Sequence, residues 1–296
     1  MGTEAFNVRT DLALEVREDM EQKGQQLDGV TVTEENRDGF LITTVSIDTE
    51  EAAGKMGKVK GNYLTIEVGE PTWFEVEEEL AAVISEYIRK LLPPELRKSV
   101  LVVGLGNRQV TPDALGPWIV DRLCVNRHYS EDGENQISAI APGVMAQTGI
   151  ETAVVVKGVV EETKPTAIIA LDALAARNVK RLNATIQLSD AGISPGSGVG
   201  NHRNAIDKES MGVPVIALGI PTVVDATTIA SDTMGRLMDA LDIEYKFLSQ
   251  EERRALVYEL LDENLKTMFL TPKNVDESVV NMSDTLAKAI CMGIIE

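Results

Sequence analysis

The run Thr166-Ala-Ile-Ile-Ala-Leu171, closed by Asp172, constrains this chain more than any other stretch. It is almost wholly apolar and short, so it reads as a strand buried on both faces. Strands of that kind belong to parallel sheets with helices packed on each side. Val100 to Val103 has the same character and breaks into a glycine-bounded turn at Gly104, Gly106 and Asn107. Ile137 to Ala141 and Val213 to Ile220 supply two further strands, and helical stretches lie between the four. The alternation predicts an α/β fold, a mostly parallel twisted sheet with helices on both faces. Residues 30 to 48 add two β-rich runs around the turn Asn36-Arg37-Asp38-Gly39, a hairpin signature. Another strand is expected over residues 62 to 68, then a helix from about Trp73 to Leu92, stopped by Pro93 and Pro94. These early strands read as an antiparallel β extension of the same sheet. The carboxyl-terminal part from Gln250 reads as mostly helical, with a break at Thr271-Pro272.

Two of the buried strands lead into acids. Asp172 follows one directly, and Thr111-Pro112-Asp113 follows the other through the glycine turn. Ligands bind open α/β sheets in the crevice outside the carboxyl ends of the strands, where neighbouring strands would bring two such carboxylates together. Two carboxylates in one crevice divide acid and base roles, because burial and mutual repulsion raise one pKa and leave the other group ionised. Such a pair activates water for amide hydrolysis without a nucleophilic side chain. The plainer reading of the first acid is that Thr111 caps the next helix and Asp113 favours its positive end.

Other chemistries are short of residues. No GxSxG elbow is present, and His128 and His202 are the only histidines, which disfavours both a serine mechanism and a histidine-rich zinc site. Cys124 and Cys291 are isolated and are expected to be reduced and packed. The segment Gln187 to Arg203 is glycine-rich, with Gly192, Gly196, Gly198 and Gly200. It reads either as a loop wrapping an extended ligand or anion beside His202 and Arg203, or as a plain surface loop. It is no phosphate loop of the GxxxxGK[ST] type.

The 296 residues are 44% hydrophobic, enough for a full core, and carry a net charge of −19. That charge repels nucleic acid at long range. No basic-then-apolar amino terminus and no 18-residue apolar run is readable, so neither a secretory signal nor a membrane span is expected. By its own chemistry the amino-terminal segment reads as an exposed arm.

Five motifs in register resemble the germination protease family of spore-forming Firmicutes: Val8 to Glu15 (VRTDLALE), Gly104 to Pro117 (GLGNRQVTPDALGP), Ile168 to Arg177 (IIALDALAAR), Gln187 to Arg203 (QLSDAGISPGSGVGNHR) and Gly212 to Ala226 (GVPVIALGIPTVVDA). The resemblance implies a fold similar to the hydrogenase-maturation peptidases and an endopeptidase that degrades small acid-soluble spore proteins during germination in the spore-core cytoplasm. It places the catalytic aspartates at Asp113 and Asp172 and implies a homotetramer with no cofactor. It also implies a zymogen that removes its own propeptide. The family's substrates are cut after the glutamate of a Thr-Glu-Phe-Ala-Ser-Glu pattern, which Thr10-Asp-Leu-Ala-Leu-Glu15 matches in character, so cleavage is expected between Glu15 and Val16. The division is then a propeptide, 1–15, and a peptidase domain, 16–296. Arg177 and Arg203 are the candidate partners of a substrate glutamate, with His202, Gly196 and Gly198 beside them. The maturation peptidases bind a metal at the corresponding acidic positions. A metal-assisted reaction at Asp113 and Asp172 is therefore the alternative mechanism, and a non-catalytic binding module the alternative class.

Overall fold

Ala167 to Leu171, the most constrained stretch of the sequence, lies in the middle of the sheet in the computed structural model of the chain. Residues 10–22, 24, 27–69, 73, 75–131, 133–194, 204–240 and 259–295 are described. The elements in order are α1 (Ala13–Gln22), β1 (Val30–Arg37), β2 (Phe40–Ile47), α2 (Glu50–Met56), β3 (Gly61–Glu67), α3 (Glu77–Leu91), β4 (Ser99–Gly104), α4 (Leu115–Val120) and β5 (Gln136–Ile140). They continue with α5 (Met145–Thr148), α6 (Thr152–Thr163), β6 (Ala167–Ala176), β7 (Thr185–Ser189), α7 (Lys208–Met211), β8 (Val215–Asp225), α8 (Ala226–Ala240), β9 (Phe269–Leu270) and α9 (Val275–Ile295).

Among the described residues one mixed sheet runs in the order β1-β2-β3-β7-β8-β6-β4-β5, with β9 pairing on β8. The contiguous strands β5, β4, β6 and β8 are parallel. The pairings β1–β2, β2–β3, β3–β7, β7–β8 and β8–β9 are antiparallel. The fold class is α/β as read from the sequence, but the antiparallel part is larger than an edge extension. The reason is β7, which the glycine-rich reading of Gln187 onward absorbed into a loop. It joins β3 to β8 and makes the early hairpin continuous with the parallel centre. The hairpin itself forms at the anticipated turn, with Asp38 and Gly39 at φ 50° and 89°, as a two-residue primed turn requires.

The parallel strands are buried on both faces because their alternate residues feed two layers. Val100, Val102, Ile169 and Leu171 pack with α3, α4 and α9, while Leu101, Val103, Ile168 and Ala170 pack with α6. Helix α9 is long and apolar enough, by length and composition, to cross a membrane, which the sequence reading did not anticipate. In the fold its Val279, Met282, Leu286, Ile290 and Ile294 are buried in the core against α3 and the sheet, and that burial accounts for the apolar composition.

The cysteine expectation is corrected as well. Cys124, just beyond α4, and Cys291, in α9, form a disulfide across 167 residues of sequence. Both side chains belong to segments packed on the same face of the sheet, a proximity that sequence spacing does not reveal.

Candidate active site

Asp113 is placed by glycines. After β4 the chain passes through Gly106, at φ 110°, into a 3-10 turn, Thr111–Asp113, before α4 begins. A Cβ on Gly106 would lie 2.0 Å from the Asp113 carbonyl oxygen, and one on Gly104 would lie 2.3 Å from the carbonyl oxygen of Gly116. Only glycine permits these approaches. The Asp113 carboxylate accepts the Asn107 N–H at 2.8 Å, and no side chain caps the start of α4. The acid therefore organises the loop mouth, where the plainer reading had it serve the helix.

Asp172 sits inside β6, whereas the sequence reading ended the strand there. The strand continues to Ala176 because β8 continues beside it to Val224. The ladder with β4, however, stops at the pair Gly104–Leu171, so Asp172 is the first residue of β6 beyond the end of β4. The Leu105 N–H donates to the Leu171 carbonyl at 2.8 Å, and the Thr222 hydroxyl of β8 donates to the Pro112 carbonyl at 2.6 Å. Thr271, next to β9, in turn donates to the Thr222 carbonyl at 2.8 Å. These bonds tie the Asp113 turn across β6 and β8 past the end of β4, and Asp113 and Asp172 are both half-buried. From β4 the chain goes to β5 on one side, while β6 lies on the other, so the two acids flank the switch point at which open α/β sheets bind ligands.

The amino-terminal arm is docked where an exposed segment was expected. Leu12 and Ala13 are fully buried and Glu15 is 2% exposed. Leu12 packs with Leu174, Ala176, Leu182 and Ile193. The Glu15 carboxylate accepts the N–H groups of Arg177 at 2.7 Å and Asn178 at 2.8 Å and the Thr10 hydroxyl, with the Arg181 guanidinium 3.5 Å away. Burial works against the charge of Arg181, but the carboxylates of Glu18, Glu15 and Glu67 outweigh it and hold the pKa above the usual arginine range. Arg177 meets Glu15 through its main chain, while its guanidinium pairs with Asp19 at 2.6 Å. The cation beside the glutamate is thus Arg181, which sequence reasoning missed. The Glu15–Val16 bond lies in the first turn of α1.

Lys58 was missed too. Its Nζ donates to the carbonyls of Thr10 at 3.1 Å and Asp11 at 3.0 Å, and burial lowers its pKa despite the nearby Asp11 and Glu15 carboxylates. Arg177, Lys180, Arg181 and Arg236, with Glu15 and Glu18, line a cleft of about 250 Å³ beside the arm. Gly196, Gly198, His202 and Arg203 lie outside the described residues. Among the described residues, Ile193 and Ile206 exchange main-chain bonds at 3.0 and 2.8 Å. His128 packs edge-on against Tyr129, and neither cysteine is a thiol. Among the described residues no three His, Cys, Asp or Glu side chains form a metal-ligating group.

The fold is that of an α/β protein whose parallel strands carry Asp113 and Asp172 at and beyond the end of β4. Comparison with known proteins gives the family. The germination protease family model matches residues 7–247. A germination protease of Caldanaerobacter subterraneus is 43% identical over 98% of this chain and 94% of its own length. Those of Clostridium perfringens and Bacillus anthracis are each 40% identical over 96% of this chain, covering 94% and 93% of their own lengths. The chain belongs to the germination protease family, and it is an endopeptidase of spore germination.

Proposed function

We propose that Asp113 and Asp172 are the catalytic pair of a self-processing aspartic-type endopeptidase whose substrates are small acid-soluble spore proteins. What carries this reading is the placement of the Asp113 turn, bonded through Thr222 and Leu105 onto the strands that hold Asp172. One carboxylate, ionised, takes a proton from water as the water attacks the peptide carbonyl. The other, protonated, donates to the carbonyl oxygen, and the acquired proton passes to the leaving amine. The work is done in the cytoplasm of the spore core by a homotetramer, and the acidic surface keeps the enzyme from competing for the DNA its substrates coat.

Residues 1–15 are the propeptide in this reading, removed between Glu15 and Val16, and 16–296 the peptidase. Glu15 is buried and the bond is helical, so the first turn of α1 unwinds before cleavage. Arg203, His202, Gly196, Gly198 and Arg177 are assigned to binding the substrate. Intact mass followed over time at mildly acidic pH tests the scheme. A product beginning at Val16 is expected with or without chelator. Loss of the product with chelator transfers the two aspartates to a metal-assisted mechanism, and a different new amino terminus refutes the cleavage site.

A further inference from the structure

Asn107 is bonded at the crevice mouth through both its main chain and its side chain. Its N–H donates to the Asp113 carboxylate at 2.8 Å and to the Asp113 carbonyl at 3.0 Å. Its side-chain oxygen Oδ1 accepts twice, from the Gln109 N–H at 3.0 Å and from Nε2 of Gln147 at 2.7 Å. A main-chain N–H can only donate, so the atom facing Gln109 is the oxygen and the carboxamide has one orientation. Both side-chain donors then sit on Nδ2, and among the described residues Nδ2 has no bonded partner. The Gln109 bond closes a local Asx turn and is all that the loop requires. The Gln147 bond comes from 40 residues away, adds nothing to that turn, and fixes the rotation of the amide. Gln147 belongs to α5, which follows β5, whereas Asp172 stands in β6, and these two strands flank β4. The amide is therefore held from the β5 side of the crevice, opposite the strand of Asp172.

We propose that Asn107 is a catalytic residue of the peptide hydrolysis, its Nδ2 donating to the oxygen of the scissile carbonyl, and that Gln147 is the positioning residue that orients it. The inference rests on the reading of Asp113 and Asp172 as the water-activating pair. In the first step the water oxygen bonds to the carbonyl carbon, one water proton goes to the ionised carboxylate, and the carbonyl π electrons move onto the carbonyl oxygen. Nδ2 keeps its protons and stabilises that oxygen through a hydrogen bond. The C–N bond then breaks as its nitrogen takes a proton from the pair and the carbonyl re-forms. A neutral carboxamide suits this place. It donates at every pH over which carboxylates titrate, so it takes no part in the proton exchange of the aspartates. A cation there would favour the ionised form of both and disable the acid. Asn107 is half-buried and touches the Asp113 carboxylate through its own N–H. A donor fixed beforehand by Gln147 needs no reorganisation when charge develops, which is where such groups gain their effect.

The test is steady-state hydrolysis, by the full chain, of a peptide with the sequence of residues 10–16, Thr-Asp-Leu-Ala-Leu-Glu-Val, followed across pH. Asn107→Asp keeps an acceptor for Gln109 and Gln147 and deletes both donors. Asn107→Ser keeps the turn acceptor at neutral charge on a shorter side chain. Each lowers kcat by at least about a hundredfold with KM held within about threefold, at every pH of the profile. Gln147→Ala lowers kcat by about threefold to tenfold, the worth of one hydrogen bond, and costs nothing further when added to Asn107→Ser. A residue that merely closes the turn is rescued by Asp or Ser. Either variant within about threefold of the unaltered kcat therefore overturns the proposal, and so does a Gln147→Ala effect that persists in full without the amide. Should the Asn107 variants fail to fold by circular dichroism, Gln147→Ala in the otherwise unaltered loop carries the test, and an unchanged kcat there overturns the proposal. Asp113→Asn and Asp172→Asn are measured alongside. Activity kept in both strikes the aspartate pair and the inference with it, whereas activity lost there but kept in the Asn107 variants strikes Asn107 alone.

Discussion

Leu12→Ala separates docking of the arm from stability of the fold. Leu12 has no exposed surface and packs onto Leu174, Ala176, Leu182 and Ile193, a small cluster apart from the main core. The substitution removes three carbons, a transfer loss of about 2.4 kcal/mol at about 0.8 kcal/mol per buried CH2. With the residual cavity the cost is about 2–4 kcal/mol. Because the segment is held by its own local contacts, the loss appears as arm release, about 30-fold to several-hundred-fold more frequent at about 1.4 kcal/mol per factor of ten. Amide hydrogen exchange reads it directly. The N–H groups of Asp11, Ala13, Arg177 and Asn178, which join arm and body, exchange faster by that factor, while those of β4 and of β6 up to Leu171 keep their protection. Equal acceleration throughout the sheet, or unchanged exchange at those four amides, refutes the reasoning.

Gly106→Ala forces a side chain onto φ 110° and into the Asp113 carbonyl, so the loop shifts at a cost of at least about 1–3 kcal/mol. Under the proposed role of Asp113, peptidase activity falls by more than about tenfold while far-ultraviolet circular dichroism is retained, since even small misplacement of a catalytic group is costly. Reducing the Cys124–Cys291 bridge frees a 167-residue separation, worth about 5 kcal/mol in the loop-closure treatment and about 2–4 kcal/mol in typical measurements. Differential scanning calorimetry with and without a dithiol therefore shows a lower Tm for the reduced protein, and an unchanged Tm contradicts a stabilising bridge. Lys58 carries a pKa below 10.5, so the unfolded chain binds more protons in the window between that lowered value and 10.5. Stability relative to Lys58→Met accordingly rises with pH through the window in denaturant titrations, and a falling trend contradicts the buried ammonium.

What was legible in the sequence was carried by short-range patterns. The continuous apolar runs of β4, β6 and β8 announced strands buried on both faces, and Asp38-Gly39 announced its hairpin, because burial and backbone conformation are written into neighbouring residues. Asp113 and Asp172 stood out because each borders such an apolar run, although Asp172 lies inside β6 and does not end it. What was hidden depends on segments far apart in sequence. β6 runs past Asp172 because β8 continues beside it, so the extension could not be read from Ala173 to Ala176 themselves. Lys58 and Arg181 lie in ordinary polar stretches, and only the fold brings them onto Thr10, Asp11 and Glu15. The arm looked exposed because its few apolar residues show no helical stripe, yet Leu12 alone fills a complete pocket.

The most direct test of the account is hydrolysis of a peptide carrying the sequence of residues 10–16, Thr-Asp-Leu-Ala-Leu-Glu-Val, by the unaltered chain and by Asp113→Asn and Asp172→Asn, with products identified by mass. The account predicts cleavage after the glutamate by the unaltered protein alone, with each single substitution reducing the rate by at least about a thousandfold, as expected when one member of an acid–base pair is lost. Cleavage persisting in both variants would contradict it.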